Sequence, residues 1–116
     1  MRLIFIVALC ISLLGCRKPS QETHVRDPTR PETILLTKQA GQDAIHYIDI
    51  RTSGSIVGSA RIQLILNGGI YKEEVVNGKF SFTWGGDWYA DSAELRYIPD
   101  GVTSGSVTFN YAFRDI

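Results

Sequence analysis

The sequence predicts an all-β fold, a small immunoglobulin-like β-sandwich of about seven antiparallel strands. Three observations predict it. From Thr33 onward apolar residues recur with period two. Turn-forming residues interrupt that alternation at short intervals. No window of a dozen residues in this region carries a helical stripe. A small β-barrel is the alternative way to close such a set of strands.

The elements follow in chain order. Met1-Arg2 opens the chain, and an apolar run from Leu3 to Leu14 follows. A cationic start, about a dozen apolar residues and small residues before a cut site describe a secretory signal peptide. The run is too short for a spanning helix, which needs about 20 apolar residues. It ends abruptly at Arg17-Lys18-Pro19.

The residues Leu13-Leu14-Gly15-Cys16 resemble the lipobox of bacterial lipoproteins. The resemblance implies cleavage between Gly15 and Cys16 and a diacylglycerol thioether on Cys16, with acylation of the new amino terminus. It covers the export segment only. Residues 1–15 are then a cleaved signal, and the membrane partner is reached through acyl chains on Cys16. Cys10 follows Leu9, where a small residue is wanted, and leaves with the signal.

Residues 16–32 read as the lipidated cysteine and a disordered tether. RKPSQETHVRDPTRPE has one Val, no larger apolar residue and three prolines. Such a segment buries too little apolar area to offset its ordering entropy. As a coil it would reach roughly 20–25 Å. Arg17 stands where an Asp resembles an inner-membrane retention signal. The expected address is therefore the periplasmic face of the outer membrane in a Gram-negative host. His24 reads as a solvated residue of this tether.

Residues 33–116 form the expected domain, with candidate strands 33–37, 44–51, 59–66, 70–76, 79–84, 92–98 and 106–113. Asn67-Gly68 and Asn77-Gly78 both sit between apolar alternations and read as two-residue hairpins. That register sets Arg61 opposite Glu74 and puts Tyr71, Val75, Phe80 and Trp84 on the core face. It also puts Glu73 there, an anomaly best read as a rim position. Pro99-Asp100-Gly101 reads as a further turn.

Composition excludes several functions. Lys plus Arg equals Asp plus Glu, 12 each. From Thr33 onward seven basic residues face nine acidic ones, so no basic stripe invites nucleic acid. With Cys10 removed and Cys16 lipidated, no thiol remains for a disulfide, a metal or nucleophilic catalysis. His46 is the one histidine of the domain and lies in a strand. Catalytic triads and zinc sites need more partners than that. No cofactor is expected.

The segment Gly85 to Asp91 is the candidate ligand-binding loop. Trp88 and Tyr89 beside Asp87 and Asp91 could stack on a sugar ring and bond its hydroxyls. The competing reading folds Trp88 or Tyr89 back to plug the open end of the sandwich. The function expected from these residues is non-catalytic binding to another envelope protein. One alternative is a carbohydrate- or peptidoglycan-binding module using the loop. Another is a lysozyme-inhibitor-like lipoprotein, similar in size and anchoring but departing from that group by its missing cysteines.

Overall fold

The computed structural model describes residues 20–116. The expected signal peptide and Cys16 lie outside the described residues. Five antiparallel strands form one sheet: β1 (Gln21–His24), β2 (Glu32–Thr37), β3 (Ile45–Leu66), β4 (Gly69–Asp87) and β5 (Ser92–Asp115). β3 lies between β4 and β5. The outer edge of β5 carries β1 at one end and β2 at the other.

β3, β4 and β5 have 22, 19 and 24 residues, several times the usual strand length. Strands this long must bend to bury both ends. Each has glycine with positive φ near its middle: Gly58 at 117°, Gly78 at 57°, Gly101 at 72° and Gly105 at 138°. Between Val57 and Ser59 the register of β3 against β5 jumps. Val57 pairs with Ser104, but Ser59 pairs with Asp100. Residues 101–103 are looped out there, and Val102 is pushed into the core. The sheet thus divides into two leaves. Leaf one holds 45–57, 78–87 and 104–115 with β1. Leaf two holds 59–66, 69–77 and 92–100 with β2.

Inward positions follow the period-two pattern. Ile48, Ile50, Phe109 and Phe113 of leaf one join Ile62, Leu64, Leu95 and Tyr97 of leaf two in a single core. Thr52 lies among them, fully buried, its hydroxyl without a hydrogen-bond partner.

The all-β antiparallel expectation holds, and all seven segments are present. Six of them are paired within three continuous strands. Asn67-Gly68 is a hairpin turn, with φ of 53° and 79°, and Ile65 faces Ile70 as expected. Asn77-Gly78 is not. Only Gly78 takes positive φ, whereas the hairpin turn needs both residues there. β4 runs straight through it and stays on β3. Pro99-Asp100-Gly101 likewise lies inside β5. Glycine permits a bend in a continuing strand by the same freedom that permits a reversal.

The register beyond the true turn also needs correction. Tyr71 is an extra residue, so Leu64 pairs with Lys72, Ile62 with Glu74 and Arg61 with Val75. The bulge exchanges the faces of 72–76. Val76 is buried at 5%, while Val75 is 65% exposed and Tyr71 half exposed. Glu73 lies outside the core, accepting a 2.7 Å hydrogen bond from Gln63 Nε2.

The tether expectation is corrected most. Residues 21–32 belong to the domain. β1 pairs with β5 from Gln21↔Tyr111 to His24↔Thr108, which makes His24 a strand residue. Val25 is buried and its N–H donates to Val107 O at 3.0 Å. A corner follows, closed by Thr29 N–H and Oγ1 donating to Asp27 Oδ1 at 3.0 and 2.7 Å. Those two bonds hold the Asp27 carboxyl below the usual carboxylate range. Tyr97 OH donates to Pro28 O at 2.6 Å, tying the corner to the core. Backbone pairing to β5 supplies what the segment's composition lacks.

Candidate binding faces

The two leaves turn unlike faces to solvent. On leaf two the outward row runs Ile70, Ile65, Glu94, Leu35 across β4, β3, β5 and β2. The next row is Glu73, Gln63, Arg96, Thr33. Leu35 is 64% exposed, and Ile70 and Val75 are exposed to a similar degree. Ile65 is buried at the centre of this face and outside the core cluster. Arg96 Nε reaches Glu94 Oε2 at 2.8 Å. Apolar side chains therefore flank a polar strip in which donors and acceptors are already matched.

Leaf one is polar. Arg51 pairs in register with Thr83 on β4 and Asn110 on β5, and Asn110 with Glu22 on β1. Among the described residues no large exposed hydrophobic lies on this row or the rows beside it; Val57, 61% exposed, lies at the bend end of the leaf. A shallow open cleft of about 330 Å³ is lined here by Asp49, Arg51, Thr83, Asn110, Arg114 and Ser20. Arg114 Nε donates to Asp49 Oδ2 at 2.8 Å, so Asp49 is engaged. Among the described residues no ion pair involves Arg51. A second hollow, of about 480 Å³, lies at the bend by Arg61, Val75, Pro99 and Asp100. It has fewer converging polar groups than the cleft.

The residues expected at the ligand-binding loop are separated by the fold. Trp88 is buried at 5%, its indole N–H donating to Ser92 O at 2.9 Å and its ring centroid 6.4 Å from that of Tyr71. Its backbone N–H donates to His46 O at 3.2 Å. Trp88 plugs the open end of the sandwich and has no face left for a sugar. Tyr89 is 75% exposed. Asp87 ends β4 and is exposed. Asp91 is drawn to Lys38, with Nζ–Oδ1 at 3.3 Å and its carbonyl accepting Lys38 N–H at 2.9 Å. Gly85 and Gly86 are strand residues of β4 rather than loop. A Cβ at Gly85 would lie 2.8 Å from the Tyr47 hydroxyl, so that strand crossing is tight.

His46 is exposed. Among the described residues no group of three or more His, Cys, Asp or Glu side chains could hold a metal ion. Among the same residues no helix is long and apolar enough to cross a membrane.

The sequence missed both faces. Their residues were legible as outward positions: Thr83 alternates with Trp84, and Asn110 with Tyr111. Their lateral grouping was not, because it depends on which distant strands pair.

No family profile matches the chain, and no curated protein does. Solved structures with a similar course exist. One is described as the crystal structure of PirA, at 14% identity and a TM-score of 0.46, covering 84% of this chain and 95% of that one. Another is described by the words "CBM4 structure and function", at 9% identity and 0.43, covering 84% and 73%. A third is the carbohydrate-binding module CBM36 in complex with calcium and xylotriose, at 13% and 0.37, covering 84% and 91%. At this distance the function has to be argued from the chain's own residues.

Proposed function

We propose that this protein is a lipid-anchored, non-catalytic binding module of the bacterial envelope, and that its partner is another envelope protein. The lipobox-like Leu13-Leu14-Gly15-Cys16 supplies the anchor at Cys16 and the export route. The single observation that supports a protein partner is the outer face of leaf two. There Leu35, Ile70 and Val75 stand exposed around a strip in which Arg96 is paired with Glu94 and Glu73 is hydrogen-bonded by Gln63. Exposed apolar groups beside polar groups that already satisfy one another are the makings of a protein interface. Arg17, standing where an Asp would resemble an inner-membrane retention signal, supports the periplasmic face of the outer membrane in a Gram-negative host.

The test is photo-crosslinking from Leu35 and Val75 in intact envelopes. One dominant adduct shared by both positions is expected. A smear of unrelated adducts refutes the reading.

A second reading has one specific observation in its favour. Tyr89 presents an exposed ring, two residues in sequence from Asp87 and from Asp91, and such a ring can stack on a sugar's face. Retention on peptidoglycan that Tyr89→Ala abolishes would establish it. Retention unchanged by that substitution would remove it.

A further inference from the structure

We propose that the outer face of leaf one rests on the phospholipid headgroups of the membrane that holds Cys16. The inference rests on the lipid-anchor reading above. Little chain is left over between Cys16 and the fold. The sequence alone allots the whole of residues 17–32 to a spacer. The fold takes that spacer back from Gln21 onward, as β1 on the edge of β5. Ser20 itself lines the leaf-one cleft beside Arg51 and Arg114.

Only Arg17, Lys18 and Pro19 stand between the lipidated residue and Ser20. Four fully extended Cα steps span about 14 Å at most. A diacylglycerol thioether fixes the cysteine at the level of the headgroups. Ser20 therefore stays within that distance of the membrane surface, and the cleft it borders is held close to it. A leash of 16 coil residues would leave the domain free to turn either leaf toward the bilayer. A leash this short, starting on one leaf, does not.

The chemistry of the face agrees. It is hydroxyl- and amide-rich, through Thr83, Asn110 and the serines of its next row, Ser53 and Ser81. Around the cleft it carries no exposed large hydrophobic among the described residues, Val57 standing apart at the bend, so the cleft region suits hydrated headgroups rather than acyl chains. Arg51 offers a guanidinium that no described carboxylate holds, in the geometry that grips a phosphate. The arrangement also turns leaf two, with Leu35 and Val75, away from the membrane.

The test uses the full-length, lipidated protein in phosphatidylcholine vesicles containing phosphatidylglycerol. Thr83→Cys on leaf one and Leu35→Cys on leaf two each carry a fluorophore, and a headgroup-attached nitroxide lipid quenches it. Ser81→Cys replaces Thr83→Cys if the latter misfolds. Quenching several-fold stronger at the leaf-one position is expected. It should fall to the Leu35 level when a long Gly/Ser spacer is inserted between Ser20 and Gln21.

Equal quenching on both leaves overturns the docking and leaves the anchor standing. Quenching unaffected by the spacer overturns the leash argument. Protection of the leaf-one probe by soluble peptidoglycan fragments, and not by vesicles, makes the cleft a glycan site and also overturns it. If mass spectrometry finds no diacylglycerol on Cys16, the anchor itself fails, a result distinct from all of these.

Discussion

Gly58 on β3 and Gly101 on β5 touch at the bend: a Cβ built on Gly58 would lie 2.5 Å from the Gly101 carbonyl oxygen. Gly58 also holds φ at 117°, which side-chain-bearing residues rarely adopt. Gly58→Ala thus combines backbone strain with an overlap against main chain. A loss of about 2–4 kcal/mol is expected from those two costs. Gly41→Ala is the comparison. Its φ is 88° but nothing lies within 4 Å, so only the conformational cost of about 1 kcal/mol applies. Urea unfolding of both variants measures the difference. Equal losses would mean that the contact at the bend contributes nothing.

Thr52 is the core's uncompensated polar group. Valine has nearly its shape and nothing to desolvate. Thr52→Val should stabilise the domain by about 1 kcal/mol, a rise in Tm of about 4–8 °C for a domain of this size. Calorimetry measures it. A fall in Tm would show that the hydroxyl has a partner after all.

Trp88 and Tyr89 are neighbours in sequence with opposite roles. Trp88→Ala empties a buried site at the open end and should cost about 3–5 kcal/mol. Tyr89→Ala removes an exposed ring and should change stability by less than about 0.5 kcal/mol. Chemical denaturation of the two variants tells them apart. Near-equal effects would contradict the plug.

Burial raises the phenol of Tyr97 above its ordinary 10.0, with Asp27 adding to the effect, and burial alone raises that of Tyr111. A raised folded-state value means the folded protein holds the proton more tightly than the unfolded chain. The stability tied to these phenols is fully present below pH 10 and is lost as pH rises through the folded-state values. Denaturation midpoints should therefore fall on titration above pH 10. Tyr97→Phe should show a shallower fall. It should also lose about 1 kcal/mol at neutral pH with the bond to Pro28. An identical alkaline profile in the variant would contradict the assignment.

Much of the fold was legible because inward residues alternate wherever a strand has one wet face. Ala93, Leu95 and Tyr97, and then Val107, Phe109 and Phe113, read correctly on that rule alone. Asn67-Gly68 read correctly because both its residues can hold positive φ. Asn77-Gly78 has the same local chemistry, yet β3 is long enough to pair with β4 on both sides of it. Only the distant partner decides between bend and reversal. The bulge at Tyr71 was hidden for the same reason, since one extra residue leaves no mark in an alternating run of mixed polarity. Residues 21–24 carry no apolar signal, because β1 is held by main-chain bonds to an edge. The candidate site suffered likewise. Trp88 offers the same letters whether it stacks on a ligand or on Tyr71.

Crosslinking compared between the leaves in living cells tests the protein-binding role of leaf two most directly. A photoreactive residue at Leu35 or Val75 should give one dominant protein adduct, and the same residue at Ser81 or Thr83 should give none of comparable yield. Protein adducts of equal yield from both leaves, or none from leaf two, would contradict it.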